Sequence, residues 1–535
     1  MTDSHTNASA AAASASPGAE LALEVRHIDK RFGAVHANDD VSLAVAKGTI
    51  HGLVGENGAG KSTLMSIVYG YYQADGGEIL IDGRPARIDG PEDAIARGIG
   101  MVHQHFMLVD TFTVLENVVL GAEGGALLAA SFKSAKVELE RLERDYSIEV
   151  DPEALVGELP VGLQQRVEIL KALYRGADIL ILDEPTSVLT PQEADHLFRI
   201  LRALKDQGKT VVLITHKLRE IMALTDHVTV MRQGRVVANV ETAATSREEL
   251  AQMMVGHAVL LRVEKQPAEP GPVLLEVEHL SVVDHSGVQR VRDVSFHVRA
   301  GEIVGIAGVA GNGQSELLEA LAGIQPIASG RIMVKGEDTA TARTARSAKL
   351  MRKLGLGHVP EERHRMGLVI PFLAYESAIL GHHDHPLYSG RVLMRRRAIM
   401  ADVVRQMHDF DVRPADPQLL TSSLSGGNQQ KLVLAREMER DPEILLVGQP
   451  TRGVDIGAIE FIHRRLIAMR DAGKAILLVS VELDEIMSLA DRILVMFNGG
   501  IVEVTQGEAT EQMLGLMMAG ERVASADAGS VQAPS

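Results

Sequence analysis

The chain repeats itself once, at long period, and this limits its architecture more than any other feature. Asp40-Val41-Ser42 stands ahead of Gly48-Thr49-Ile50 and a glycine-rich loop from Gly55 to Lys61. Asp293-Val294-Ser295 stands ahead of Gly301-Glu302-Ile303 and a loop from Gly308 to Gln314, 253 residues later. Further on, Leu159-Pro160-Val161-Gly162 answers Leu424-Ser425-Gly426-Gly427 at 265 residues, and Ile181-Leu182-Asp183-Glu184-Pro185 answers Leu446-Val447-Gly448-Gln449-Pro450 at the same 265. Asp226-His227-Val228 and Asp491-Arg492-Ile493 keep that spacing. A steady offset over such a span means two copies of a whole domain, the second with a modest insertion, and not a solenoid of short repeats. The 535 residues also exceed what one hydrophobic core organises. The expected boundaries are a disordered tail over 1–20, domains over 21–255 and 273–522, and a second tail over 523–535. Pro267, Pro270 and Pro272 mark a linker over 256–272.

Within each copy, short β-branched runs alternate with helical patterns. Ile179-Leu180-Ile181-Leu182 and Val211-Val212-Leu213-Ile214 are continuous apolar strands, as in a sheet covered on both faces. Each copy is therefore expected to be α/β with a mainly parallel sheet. Composition excludes several alternatives. A net charge of -17 is repelled by phosphate backbones and anionic lipid. Nucleic acid is not an expected partner, and membrane contact is expected to run through a protein. Aromatics are 3% and Trp is absent, which leaves no stacking platform for single strands. The lack of Cys excludes disulfides and thiolate metal sites. No run of 18 uninterrupted apolar residues predicts a transmembrane helix, and the Ala- and Ser-rich start lacks the marks of a secretion signal. A soluble, cytoplasmic chain is expected.

The first copy carries the chemistry. Gly55-Glu56-Asn57-Gly58-Ala59-Gly60-Lys61-Ser62-Thr63 follows an apolar strand and opens a helical pattern, which is a P-loop in its structural context. Its glycines let backbone N–H groups close around phosphate oxygens at a helix N-terminus. Lys61 would reach the β- and γ-phosphates, and Ser62 would hold Mg²⁺. A glycine-rich turn alone would explain neither residue. Asp183 ends a strand beside the P-loop, where its carboxylate reaches the Mg²⁺ shell. Glu184 follows, placed as general base toward the attacking water. His216 ends another strand, a natural position for a γ-phosphate sensor; a lone structural His is the alternative. Gln104, after a short strand, is read as touching Mg²⁺ or the water and reporting to a partner, against an ordinary loop Gln. Phe32 is read as stacking on adenine, against a core aromatic.

Taken together, the P-loop, Gln104, Leu424-Ser425-Gly426-Gly427-Asn428-Gln429-Gln430, Asp183-Glu184 and His216 resemble the motif set of ATP-binding-cassette ATPases. The resemblance spans nearly the whole chain outside the tails. Three further features resemble, more narrowly, the ATP-binding subunits of bacterial sugar and nucleoside importers, the nucleoside-type branch most closely. They are the substituted Leu159-Pro160-Val161-Gly162-Leu163-Gln164-Gln165-Arg166, Val359-Pro360-Glu361-Glu362-Arg363, and Gln449-Pro450-Thr451-Arg452-Gly453-Val454-Asp455. The resemblance implies two tandem P-loop domains, each with a helical subdomain that carries the signature. It implies ATP and Mg²⁺ as cofactors. Its implied partners are two integral-membrane permease subunits, docked near the Gln104 loops, and a periplasmic or lipid-anchored binding protein acting through them. The implied place is the cytoplasmic side of the inner membrane, as a peripheral subunit.

The resemblance also implies head-to-tail pairing, each ATP lying between the P-loop of one cassette and the signature of the other. The second copy is altered in a way that fits. Gln314 stands for Lys61, Glu316 for Thr63, Gly448 for Asp183, Gln449 for Glu184, Val481 for His216 and His285 for Phe32. Its signature is intact, whereas the first copy has Pro160 and Val161 there. The expectation is one hydrolytic site, with Ser425, Gly426 and Gly427 acting on the ATP held by Lys61, and one structural site. The rival readings are a soluble double cassette working on ribosomes or DNA, which the short linker and acidic charge oppose, and a P-loop kinase, which leaves the duplication unexplained.

Overall fold

The computed structural model describes residues 20–520 apart from 34, 104–105, 122–127, 147, 187–188, 190, 257–262, 264, 310, 340–345, 455, 505–508 and 519. The chain divides into two compact units, 1–261 and 262–535. The predicted tails over 1–20 and 523–535, Glu20 excepted, and most of the linker's first half lie outside the described residues.

The first unit is built on a six-stranded sheet. Its strands run, edge to edge, Arg235–Glu241, His227–Arg232, Ile50–Gly55, Thr210–Ile214, Ile179–Asp183 and Ile99–Val102. All neighbours are parallel except the first pair, which forms an antiparallel edge. Ile50–Gly55 and Thr210–Ile214 are buried along their full length, which is why their sequences run apolar without alternation. Parallel order brings the carboxyl ends of these strands to one edge, and the P-loop, Asp183 and His216 all follow strands there.

Beside this sheet stands an antiparallel one, Val35–Ala46, Leu21–Phe32, Gly76–Ile81 and Arg84–Pro85, which the alternation of strand and helix did not predict. The helical subdomain consists of Val114–Val119, Leu128–Tyr146 and Val161–Tyr174. Val114–Val119 starts at a reciprocal cap: the Thr113 hydroxyl accepts from the Glu116 N–H while the Glu116 carboxylate accepts from the Thr113 N–H.

The second unit repeats this plan. Its six-stranded sheet runs Leu356–Val359, Ile444–Gly448, Ala475–Ser480, Glu302–Ala307, Arg492–Phe497 and Gly500–Val504, again with one antiparallel edge. A four-stranded antiparallel sheet and helices Ala374–Ala378, Arg396–Asp409 and Gly426–Met438 complete it. The same internal tie recurs in both units. Asp226 accepts from the Ile50 N–H at 2.9 Å, and Asp491 from the Ile303 N–H at 2.9 Å. In the second unit the end of the predicted linker joins this tie. Lys265 donates to the Leu489 and Ala490 carbonyls and to Asp491, and Arg470 donates to Asp491 and to the Gln266 carbonyl. Residues 265–272 are thus part of the second unit's fold. Among the described residues no helix is long and apolar enough to cross a membrane.

Candidate functional site

In the first unit the P-loop connects Ile50–Gly55 to the helix Lys61–Val68. Gly60 sits at φ 96°, and a Cβ there would lie 2.2 Å from the Ala37 carbonyl oxygen, so no other residue fits. Lys61 is only 6% exposed and its ammonium donates to the Gly55 and Glu56 carbonyls at 2.8 and 3.0 Å. The charge is therefore held inside the curve of the loop. Burial draws the ammonium below the usual lysine range, while Glu184, Asp183 and Glu56 oppose that shift.

Around Lys61 stand two coupled pairs. The Ser62 hydroxyl hydrogen-bonds the Asp183 carboxylate. Burial pushes the Asp183 carboxyl up; the Ser62 bond and Lys61 oppose it, and Glu184 adds to it. Glu184 takes a left-handed backbone, φ 46°, with its N–H on the Ile214 carbonyl at 2.8 Å. Its carboxylate lies 2.8 Å from His216 Nδ1. Burial works to raise the Glu184 carboxyl, but the hydrogen bond and charge of His216, with Lys61 and Lys217, hold it below the usual range. Glu184 is thus an ionised acceptor with an oriented partner, as a general base requires. Hard oxygen donors from Ser62 and Asp183, side by side, are the kind that suits Mg²⁺.

Phe32 ends its strand 42% exposed, edge-on to Tyr72 with centroids 5.1 Å apart, and with the Lys30 ammonium 5.4 Å from its ring. It is not part of the core. Gln104 lies outside the described residues. The segment that flanks it, His103 and Met107, lines a cavity of about 110 Å³ together with Tyr71, Glu168 and Lys171.

The second unit keeps the frame and changes the contents. Gly313 has φ 104°, and a Cβ there would lie 2.2 Å from the Arg290 carbonyl oxygen. Gln314 is 4% exposed, and among the described residues its amide nitrogen has no hydrogen-bond partner. Gln449 repeats the left-handed turn, φ 47°, with its N–H on the Val479 carbonyl at 2.8 Å. Its amide oxygen accepts from the Val481 backbone N–H at 3.3 Å, where Glu184 meets an imidazole.

Two contacts, one in each unit, were not read from the sequence. Ser315, the counterpart of Ser62, donates to the Glu361 carboxylate. A Cβ on Gly448 would lie 2.9 Å from Leu318 and 3.0 Å from the Glu361 backbone nitrogen. Glu361 therefore occupies ground that an Asp at 448 would need, and supplies a carboxylate from the segment that follows the strand Leu356–Val359. Acidic groups gather here: burial raises the Glu319 carboxyl, Arg365 opposes that shift, and Glu316, Glu362 and Glu361 add to it. The other is Asn38, fully buried, whose amide donates to the Gly60 carbonyl at 3.1 Å; Val291 holds the matching position. Aligning the repeats pairs Asn38 with Val291, but the contact with Gly60, like the role of Glu361, shows only in the fold.

The signature loop precedes the helix Gly426–Met438. Ser425 caps it, accepting from the Asn428 N–H at 3.4 Å and from the Asn428 side chain at 2.9 Å, while Pro160 offers the first unit's helix no side-chain cap. Gly427 is buried, and a Cβ on Gly426 would lie 2.7 Å from the Arg363 guanidinium. Arg363 donates to the Arg452 carbonyl at 3.1 Å, and His364 meets Gln429 at 2.8 Å. The run Glu361 to His364 therefore touches both the altered P-loop and the intact signature of its own unit.

The family model described as ABC transporter matches residues 38–187 and 291–452. The nucleoside import ATP-binding protein NupA of Lactococcus lactis subsp. cremoris (strain MG1363) is 46% identical over 94% of this chain and 99% of its own length. The guanosine import ATP-binding protein NupO of Bacillus subtilis (strain 168) is 47% identical over 94% and 98%. The glucose import ATP-binding protein TsgD13 of Haloferax volcanii is 43% identical over 95% and 97%.

Proposed function

This chain belongs to the ABC transporter family, and we propose that it is the subunit whose ATP hydrolysis drives an importer of nucleosides or simple sugars. The substrate range rests on relatives named for nucleoside, guanosine and glucose import. The observation that carries the ATPase reading is the Glu184–His216 pair at 2.8 Å beside Ser62–Asp183 and a buried Lys61.

In the proposed reaction the backbone N–H groups of Gly55 to Thr63 and the Lys61 ammonium hold the phosphates. Phe32 offers an exposed face for the adenine. Glu184, kept ionised and aimed by His216, accepts a proton from the attacking water and aligns it with the γ-phosphorus. His216, 2.8 Å from the Glu184 carboxylate, holds that group in place while the proton moves onto it. Ser62 and Asp183, with Gln104 as a further ligand, would hold Mg²⁺, which would supply positive charge to offset that of the phosphates. Ser425, Gly426 and Gly427 act on the same ATP, a role supported by the way the losses sort: every intact part of the P-loop set lies in one copy and the intact signature in the other. The second P-loop is structural, since Gln314, Gly448 and Gln449 offer no fixed cation, no aspartate and no base.

The motor works on two permease subunits at the cytoplasmic face of the inner membrane, with a substrate-binding protein acting through them. The cavity beside His103 and Met107 is the proposed permease contact in the first cassette. Copurification tests the assembly: the chain should leave detergent extracts with a membrane permease, and recovery with ribosomes instead would remove the transport reading.

A further inference from the structure

In the second unit, the segment between Ala374–Ala378 and Arg396–Asp409 turns back on itself. Ser389 and Met394 form an antiparallel bridge; the Gly390 N–H donates to the Leu393 carbonyl at 2.9 Å and the Arg395 N–H to the Tyr388 carbonyl at 2.7 Å. The foot of this tip is fixed in the core. Tyr388 is fully buried, its hydroxyl donates to Asp402, and the Arg440 guanidinium donates to that hydroxyl from 4.6 Å off the ring centroid. The tip is thus held outward by packing. It presents Val392 at 90% exposure, Leu393 at 79% and Met394 at 50%. Single apolar residues on a surface need no explanation, but consecutive ones held this bare do.

Arg391, Arg395, Arg396 and Arg397 surround them, all exposed. Among the described residues Arg391, Arg395 and Arg397 make no ion pair, and Arg396 lies over the Tyr375 ring at 5.9 Å. In sequence the first copy is shorter here and lacks these arginines. Aligning Glu116 with Glu376 and Pro160 with Ser425 leaves the second copy five residues longer, and Gly121 to Leu128 contains no Arg. The whole chain carries -17, which opposes anionic partners. Screening limits the reach of each charge to about 8 Å in physiological salt, so the local cluster decides what this tip attracts.

We propose that the tip Ser389 to Arg397 binds anionic phospholipid directly. Its guanidinium forks pair with headgroup phosphates, and Val392 and Leu393 enter the apolar side of the interface. The proposal rests on the reading of this chain as a membrane-bound motor. Lipid is favoured over the permease as the partner. Cytoplasmic loops of membrane proteins carry an excess of Lys and Arg, which would repel four arginines, whereas the cytoplasmic leaflet is negative.

The test uses the full chain without permease, in flotation with vesicles of phosphatidylcholine alone or with roughly a third phosphatidylglycerol. Binding is expected to the anionic vesicles only, and to weaken as salt rises. Arg391→Glu with Arg397→Glu should weaken it at least about tenfold, since each charge near the surface contributes on that scale. Val392→Ser with Leu393→Ser should weaken it too, and both double variants should hydrolyse ATP like the unaltered chain. Lys61→Ala should bind vesicles normally while losing hydrolysis, so failure of the motor reading and failure of this one are separable. An unaltered chain that ignores anionic vesicles overturns the proposal, as do reversal variants that bind as well as it does. If the variants instead lose permease-stimulated hydrolysis in neutral lipid, the tip meets a protein, and the lipid assignment is wrong.

Discussion

The two P-loops share a backbone and differ in what they hold. Gly60 and Gly313 take the same left-handed turn against equivalent carbonyls, those of Ala37 and Arg290, and Glu184 and Gln449 the same strained turn after their strands. Yet the first loop encloses an ammonium flanked by two carboxylates, and the second an amide whose nitrogen has no partner among the described residues. Folding therefore requires the loop shape in both places, while on the proposed reading phosphate chemistry requires Lys, Asp and Glu in only one. Backbone strain of this kind survives where the surrounding sheet determines it, whether or not the side chain still works.

That contrast breaks most directly at the base. Glu184→Gln should keep ATP binding and reduce hydrolysis by roughly 10²-fold or more, the scale of a positioned base. Gln449→Ala, at the matching turn, should leave the rate nearly unchanged. Equal effects on ATPase rate would sink the idea that one cradle hydrolyses and the other supports.

Ser425 offers the next largest effect. A bulky charged residue there, Ser425→Arg, should stop hydrolysis while the first cassette still binds ATP. The milder Ser425→Ala separates two jobs, because Ser425 is also a helix cap. Loss of the cap alone costs about 1 kcal/mol of stability and leaves turnover per folded molecule intact. A melting shift without a change in turnover would reduce Ser425 to its capping role.

Acid should act on the frame of both cassettes. His51, on the P-loop strand, is driven down to about 3, mainly by burial, with His227 adding and Asp226 opposing. Its Nε2 meets the Thr229 hydroxyl at 2.8 Å, and its Nδ1 is buried without a partner among the described residues. The folded state thus binds fewer protons than the unfolded chain, whose histidines titrate near 6.5. Stability is full above that pH and falls as pH drops toward 3. Between pH 6.5 and 5 the loss at this one residue should be about 2 kcal/mol. His358 in the second unit, pushed to about 4 by burial, adds a similar loss. Thermal unfolding of His51→Gln against pH should show a shallower acid decline; an unchanged slope would mean that His51 is not the responsible group.

The smallest effect is expected at Glu361. Glu361→Gln should leave ATP hydrolysis close to that of the unaltered chain, because its carboxylate serves the second cradle. A large fall in turnover would show that the second cradle shapes the first through the run that touches Arg363 and the signature.

What the sequence determined by itself was whatever depends on local order along the chain. The duplication, the P-loop with its flanking strand and helix, Asp183 and Glu184 at a strand end, and the losses at Gln314, Gly448 and Gln449 are all patterns of neighbouring residues or fixed offsets. Apolar continuity and glycine placement announce them, since a parallel strand buried on both faces and a left-handed turn leave such marks. What only the tertiary structure decided involves groups distant in sequence. The antiparallel sheet, the docking of Lys265 on Asp491, the Asn38 support under Gly60 and the carboxylate of Glu361 beside Ser315 depend on which strands become neighbours. The same holds for the arginine tip: its charges were present in a chain counted as acidic, but only the packing of Tyr388 in the core decided that they stand together and face outward. Net charge is a sum over the chain, whereas screened electrostatics and hydrogen bonds act over a few ångströms, and those distances are set by the fold.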